Sequence, residues 1–160
     1  MKLIDAARLA KWQTGITNFQ LQETTLLNEM ITDYLGCYGL DSCALHKEVN
    51  YFLGFRTIEG FQILHQYFQQ KQTDAETVLI VHGFTDHAGL FTKVIKDLLN
   101  KGKSVVVFDL PGHGLSSGER ASIDTFDTYQ KVFTHCLSYF QTALKQPLHL
   151  LGQRDRKSVV

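Results

Sequence analysis

The sequence predicts an α/β fold in which an antiparallel hairpin leads into parallel strands covered by helices. Three observations carry that prediction. Two apolar strands, Val78-Leu79-Ile80-Val81 and Val105-Val106-Val107-Phe108, each run into a Gly-containing polar turn: His82-Gly83-Phe84 after the first, Asp109 to Ser116 after the second. A third apolar run, Leu148-His149-Leu150-Leu151, stops at Gly152. Segments of helical period lie between these runs, and such alternation implies a right-handed, largely parallel sheet. Open sheets of this kind bind ligands beyond the carboxyl ends of their strands, so chemistry is expected at the three turns.

Taken in chain order, residues 1–40 read as a helical segment, followed by sheet-forming residues 41–153. Leu26, Leu27, Met30, Ile31, Tyr34 and Leu35 fall on one stripe of a helix expected over 23–35. Its polar side lacks clustered Lys or Arg, which favours packing on the domain over a dimer or membrane-surface role. Residues 49–68 are aromatic and β-branched, broken once at Thr57-Ile58-Glu59-Gly60, as in a hairpin with Gly60 in its turn. A polar loop over 71–76 precedes a strand over 77–82. Leu90, Phe91, Val94, Ile95, Leu98 and Leu99 then share a helical face, with Asp86 the expected N-cap and Gly102 the C-terminal stop. After a strand over 104–109, Asp124 is the expected N-cap of another helix, with Asp127 in its first turn. Phe126, Tyr129, Phe133, Cys136, Leu137 and Phe140 form its apolar face, and Pro147 ends it ahead of the third parallel strand.

Composition narrows the function classes. The 160 residues are 44% hydrophobic, enough for one cored domain, and sixteen basic residues balance sixteen acidic ones. No basic stripe offers a nucleic-acid surface. Asp5, Arg8 and Lys11 interrupt the place where a signal peptide needs an apolar core, and no stretch reaches membrane-spanning length. Cys37, Cys43 and Cys136 lack metal or redox spacing and read as buried free thiols, which points to a reducing, cytoplasmic setting.

At the first turn, Gly83 lets the chain bend so that the Phe84 N–H points inward, where a strand end followed by a helix can hold a developing oxyanion. His82 is then a brace for the loop rather than a base. In the second turn Gly112 and Gly114 flank His113 and permit positive φ, while Pro111 stiffens the entry. Asp109 and His113 read as scaffold rather than as reacting groups. Two phosphate-site readings fail: Gly102-Lys103-Ser104 lacks the upstream Gly of a P-loop and precedes a strand, and Gly112, Gly114 and Gly118 have one spacer too many for a dinucleotide fingerprint. At the third turn Gly152-Gln153 opens a nucleophile elbow, Gly-x-Ser-x-Gly, but Arg154 and Arg156 stand where Ser and Gly belong.

These pieces together resemble the α/β-hydrolase superfamily, in its monoacylglycerol lipase, lysophospholipase and serine aminopeptidase S33 branch. The likeness rests on Val81-His82-Gly83-Phe84, on Phe108-Asp109-Leu110-Pro111-Gly112-His113-Gly114-Leu115-Ser116 with Gly118-Glu119-Arg120, and on Leu150-Leu151-Gly152-Gln153. It runs from about residue 49 to 153 and implies the N-terminal portion of that fold. The resemblance implies the Phe84 N–H as one oxyanion donor and the N–H of position 155 as the other. It implies a serine nucleophile at position 154, with the acid and histidine of the triad downstream, no metal or other cofactor, and an ester or lipid substrate. Peripheral membrane contact is compatible with it.

The elbow breaks where Asp155-Arg156-Lys157-Ser158-Val159-Val160 begins. That hexapeptide is the translation of a common sequencing-library adapter, GAT CGG AAG AGC GTC GTG, whose next triplet is the stop TAG. The adapter has one A before GAT, so Arg154 as AGA would combine it with a native AG, and the serine codons AGT and AGC begin with AG. Residues 154–160 are therefore expected to be a non-native tail in place of a serine and its elbow; the rival is a natural pseudoenzyme. As written, the chain is expected to be inactive and to expose an apolar strand edge at 148–151. The alternatives are the same fold with other chemistry (epoxide hydrolase, dehalogenase, acyltransferase) and a non-catalytic binding module.

Overall fold

The computed structural model describes residues 4–153. Two helices, α1 (Ala6–Thr14) and α2 (Glu29–Tyr38), and a short third, α3 (Asp41–Ala44), precede the hairpin β1 (Val49–Ile58) and β2 (Phe61–Gln70). Then come β3 (Thr77–Val81), a 3-10 turn at Ala88–Phe91, α4 (Thr92–Asn100), β4 (Ser104–Phe108), α5 (Phe126–Ala143) and β5 (Leu148–Gly152). The five strands form one sheet in the order β1-β2-β4-β3-β5, antiparallel on the hairpin side and parallel across β4, β3 and β5. The expected mixed architecture is what forms.

Period-two alternation sorts the strand residues onto two faces. Val78, Ile80, Val105, Val107, Leu64 and Phe68 join a core with Trp12, Ile31, Tyr34, Leu35 and Ile95 from the helices α1, α2 and α4. Leu79, Val106, Phe108, Ile63 and Tyr67 join a second core with Val132, Cys136 and Phe140 of α5. With both faces covered, β3 and β4 are, after their first residues Thr77 and Ser104, apolar runs rather than alternating ones, as parallel strands are. The hairpin closes at Glu59-Gly60, whose φ values of 52° and 78° give the two-residue turn that matches strand twist.

Several local expectations are corrected. The helix expected over 23–35 begins six residues later, because Asn28 Oδ1 accepts from Ile31 N at 2.9 Å and caps it. The β-branched Thr24-Thr25 pair stays outside the helix, and Thr25 N donates to Tyr51 O at 2.9 Å, which leaves Leu26 89% exposed. Asp86 does not cap the helix after β3; His87 does so for the 3-10 turn, its Nδ1 accepting from Gly89 N at 3.2 Å. Leu90 is exposed as a result. Thr125, not Asp124, occupies the N-cap position of α5, without a side-chain bond. Phe126, in the first turn of α5, is 82% exposed, and Val132 takes the buried position instead. Cys43 and Cys136 are buried free thiols as expected, whereas Cys37 is only half-buried. Asp127 lies in the first turn of α5, and Gly102 ends α4 with φ 77°.

Candidate active site

The carboxyl ends of β3, β4 and β5 lie side by side. Parallel register pairs Ile80 with Val107 and Val81 with Gly152, and Gln153 N donates to Val81 O at 3.0 Å. The chain therefore leaves β5 level with the start of His82-Gly83-Phe84. Position 154, where the sequence expects the nucleophile, and position 155, the expected second oxyanion donor, lie outside the described residues.

Asp109 joins two of the three turns. It is fully buried; Oδ1 accepts from Ala88 N at 2.7 Å and Oδ2 from Leu115 N at 3.0 Å, so one carboxylate holds both the turn after β3 and the loop after β4. Backbone N–H bonds of this kind satisfy a buried carboxylate in its charged form. Gly114 has to be glycine here, since an added Cβ would come within 2.1 Å of Asp109 Oδ2. At Gly112, φ is 75° and a Cβ would meet Glu119 O at 2.3 Å. Ser116 Oγ donates to Asp109 O at 2.6 Å and accepts from Leu64 N at 2.9 Å, which fastens the loop to β2. Arg120 grips the same loop from outside through Gly114 O (2.7 Å) and Ser116 O (2.6 Å).

The two histidines sit with ring centres 5.2 Å apart. His82 is buried; its Nε2 accepts from Leu110 N at 2.9 Å, and its Nδ1 lies 2.8 Å from Gly83 O. Burial lowers its pKa below the ordinary histidine value, against the pull of the Asp109 carboxylate. His113 places Nδ1 2.9 Å from Pro111 O and Nε2 2.5 Å from Phe84 O. The Phe84 ring is 43% exposed and stands edge-on to His113 at 5.5 Å. Gly83 O also accepts from Asp86 N at 3.1 Å.

His82, Gly83, Phe84, Asp109, Gly112, His113, Gly114, Gly152 and Gln153 thus gather at one sheet edge. Sequence reasoning missed Ser116 as a tie to β2 and Gln13, whose Nε2 donates to Leu115 O at 2.8 Å from a residue 102 positions away. It also missed Tyr38, whose ring meets His87 edge-on at 4.9 Å. No local pattern marks such long-range partners.

A groove of about 450 Å³ runs from this edge, lined by Asp86, Leu90, Phe91, Val94, Leu151 and Gly152. The larger hollow, about 840 Å³ between α1 and α2, includes none of the three strand ends. Among the described residues no three His, Cys, Asp or Glu side chains converge as metal ligands, and no helix is long and apolar enough to cross a membrane.

Comparison with known proteins agrees with this geometry. A monoglyceride lipase homolog of monkeypox virus is 34% identical over 76 residues, 47% of this chain and 28% of that protein. Rat monoacylglycerol lipase ABHD6 is 30% identical over 99 residues, 59% of this chain and 27% of that protein. The chain therefore spans less than a third of these curated relatives. Among solved structures, a thioesterase domain from the curacin biosynthetic pathway superposes with TM-score 0.50 and 26% identity, covering 64% of this chain and 35% of that one. A soluble variant of monoglyceride lipase from Saccharomyces cerevisiae superposes with TM-score 0.53 at 20% identity, over 63% of this chain and 33% of that one, and shares the fold. Residues 72–153 match the family described as serine aminopeptidase, S33, and with all three strand ends inside that match the chain belongs to this family of α/β-hydrolases.

Proposed function

We propose that the intact protein is a serine hydrolase that cleaves carboxylic esters of monoacylglycerol or lysophospholipid type. The observation that carries this reading is the β3–β5 register. Val81 pairs with Gly152 and Gln153 N bonds Val81 O, so an elbow serine following Gln153 would stand beside the Phe84 backbone. In that reading position 154 is serine in the intact gene, and residues 155–160 are not part of it. The serine attacks the ester carbonyl, a histidine from further along the intact protein takes its proton and later protonates the leaving alcohol, and an acidic residue orients that histidine. The Phe84 N–H holds the oxyanion with the N–H of position 155, a contribution of about 3 kcal/mol per donor.

His82, Gly83, Asp109, Gly112, His113 and Gly114 are scaffold in this scheme, and no cofactor takes part. The lipid-like substrate is supported by the monoglyceride lipase names of the relatives and by the apolar groove of Leu90, Phe91, Val94 and Leu151 beside the strand ends. Exposed Phe84 and Leu90 would suit brief contact with a lipid surface. Three free cysteines fit a reducing compartment, the cytoplasm. The chain as it stands has Arg154 and is inactive in this scheme.

The test is to read codon 154 at the genomic locus and assay the complete product on monoacylglycerol, lysophospholipid and aminoacyl-peptide substrates. Serine at 154 with ester cleavage supports the reading. An arginine codon followed by a stop six codons later overturns it, as does an aspartate nucleophile with epoxide or haloalkane turnover.

A further inference from the structure

Away from the strand ends, the hollow of about 840 Å³ between α1 and α2 lies inside the range of about 300–1,000 Å³ that small-molecule sites occupy. Its walls are mostly apolar: Ile4, Trp12, Met30, Cys37, Tyr38 and Leu90. Gly36 of α2 lines it as well, and the fold does not ask for glycine there. The residue is not among those with positive φ, Gly39 with φ 71° already ends the helix, and an added Cβ would meet nothing within 4 Å. Glycine is a poor helix former, so its presence weakens α2. What it provides is room, since a side chain at position 36 would stand in open space at the hollow's wall.

The chemistry of the walls selects the occupant. Asp33 accepts from Trp12 Nε1 at 2.7 Å and from Arg8 Nε and Nη2 at 3.1 and 2.8 Å, so these polar groups are already engaged. Arg8 lies 5.0 Å over the Trp12 ring, and Tyr34 and Tyr38 stand edge-on to it, which leaves that ring closed to stacking by a flat ligand. Among the described residues, the buried side-chain polar atoms without a partner are Arg56 Nη1 and Tyr129 Oη, and neither lines the hollow. The formal charges at the rim cancel, Arg8 and Lys11 on α1 against Glu29 and Asp33 on α2. With polar groups engaged and charge balanced, apolar area is what remains to recognise a ligand, and that recognition is non-directional. A flexible alkyl chain suits such walls, and the unbranched Met30 side chain can adapt to it.

We propose that the hollow between α1 and α2 binds the alkyl chain of a single-chain amphiphile with an uncharged head, at a site separate from the strand ends. The chain is buried against Met30, Cys37 and Leu90 in the space that Gly36 leaves, and the head stays in water at the rim. One residue links this site to the turn after β3. Tyr38 lines the hollow, its ring lies 4.9 Å from that of His87, and a Cβ on Gly89 would come within 2.8 Å of its Cγ. The neighbouring amide, Ala88 N, is the one bonded to Asp109 Oδ1. An occupied hollow therefore backs Tyr38 and steadies that turn. Neither the site nor its ligand depends on the ester-hydrolase reading.

Trp12 is the one tryptophan in the sequence, so its fluorescence reports on this hollow. The test titrates the 160-residue chain with a glycerol monoester whose medium-length acyl chain carries bromine, a contact quencher, kept below its aggregation concentration. The expected result is saturable quenching that added salt leaves unchanged. Gly36→Leu fills the room and weakens binding by roughly tenfold or more, the scale on which methylene-sized changes in an apolar pocket act. Its melting temperature holds or rises, because leucine is the better helix former. No saturable quenching of the unaltered chain, equal quenching of Gly36→Leu, or quenching abolished by salt would each overturn the site. A lower melting temperature for Gly36→Leu would show that the glycine serves packing, and would overturn the argument from room. Amide exchange reads the link to the turn: Ala88 and Gly89 exchange more slowly with the monoester bound, and unchanged exchange there overturns the link.

Discussion

The two edges of the sheet are finished in opposite ways. At β1 the segment between α1 and α2 lies against the outer edge: Phe19 N donates to Phe55 O and Phe55 N to Thr17 O, each at 2.9 Å. Thr25 bonds Tyr51 O through its N–H, while its hydroxyl accepts from Leu53 N at 2.7 Å and donates to Leu53 O at 3.2 Å. At β5, among the described residues, β3 is the one neighbouring strand, and Leu150 and Leu151 are 53% and 41% exposed. The contrast teaches that a mixed sheet can close an edge with its own upstream chain, provided one residue allows close approach. Here that residue is Gly54, where a Cβ would lie 2.4 Å from both Cα and N of Phe19. An uncovered edge with apolar side chains is instead a template for pairing.

Breaking the covered edge has the largest expected effect. Gly54→Val drives a side chain into the Phe19 backbone, which has no flexible end to yield, so the 17–25 segment lifts off. The expected loss is about 3 kcal/mol or more, overpacking plus lost edge hydrogen bonds, seen as a drop in urea midpoint. Unchanged stability would mean that the covering segment contributes little.

Acid acts beneath the same segment. Phe19 packs on His65, ring centres 5.4 Å apart, and buried His65 donates to Ile63 O and accepts from the Cys136 thiol. Burial takes its pKa from 6.5 down to about 3. The unfolded chain binds this proton below pH 6.5 while the folded chain does not, so stability is full above pH 6.5 and falls as pH drops toward 3. His65 alone contributes a slope of about 1.4 kcal/mol per pH unit in that window, to which buried His82 adds in the same direction. In His65→Gln, denaturant midpoints measured from pH 6.5 to 4 should fall less steeply; an unaltered slope would rule His65 out as the cause.

Thr25→Val removes only the hydroxyl bridge at Leu53, whose N–H is then left without its partner. A loss of about 1–2 kcal/mol is expected in the same measurement. Leu150→Lys, on the bare edge, should change stability by less than about 0.5 kcal/mol. Its readout is association: sedimentation at rising concentration should show fewer oligomers than the unaltered chain. Equal association would place the contact elsewhere on the surface.

The strands and their succession along the chain were legible because burial on both faces leaves uninterrupted apolar runs, and the hairpin because Gly60 marks its turn. Helix starts were less so. Leu26 and Leu27 continue the apolar period of α2 by coincidence, and only the Asn28 side chain shows where the helix begins. The same holds at α5, where Phe126 fits the stripe yet lies in solvent. The site's strand-end residues could be read because glycine-bounded turns follow apolar runs. What they bond to could not: Asp109 reaches Ala88 across 21 residues, and Gln13 reaches Leu115 across 102. Pairings of that range follow from the sheet order, which no local window contains.

The most direct test of the central claim, that these strand ends carry serine hydrolase chemistry, is fluorophosphonate labelling of the complete gene product followed by peptide mapping. The account predicts a single adduct on a serine immediately after Gly152-Gln153. A complete, folded product that takes up no label there would contradict it.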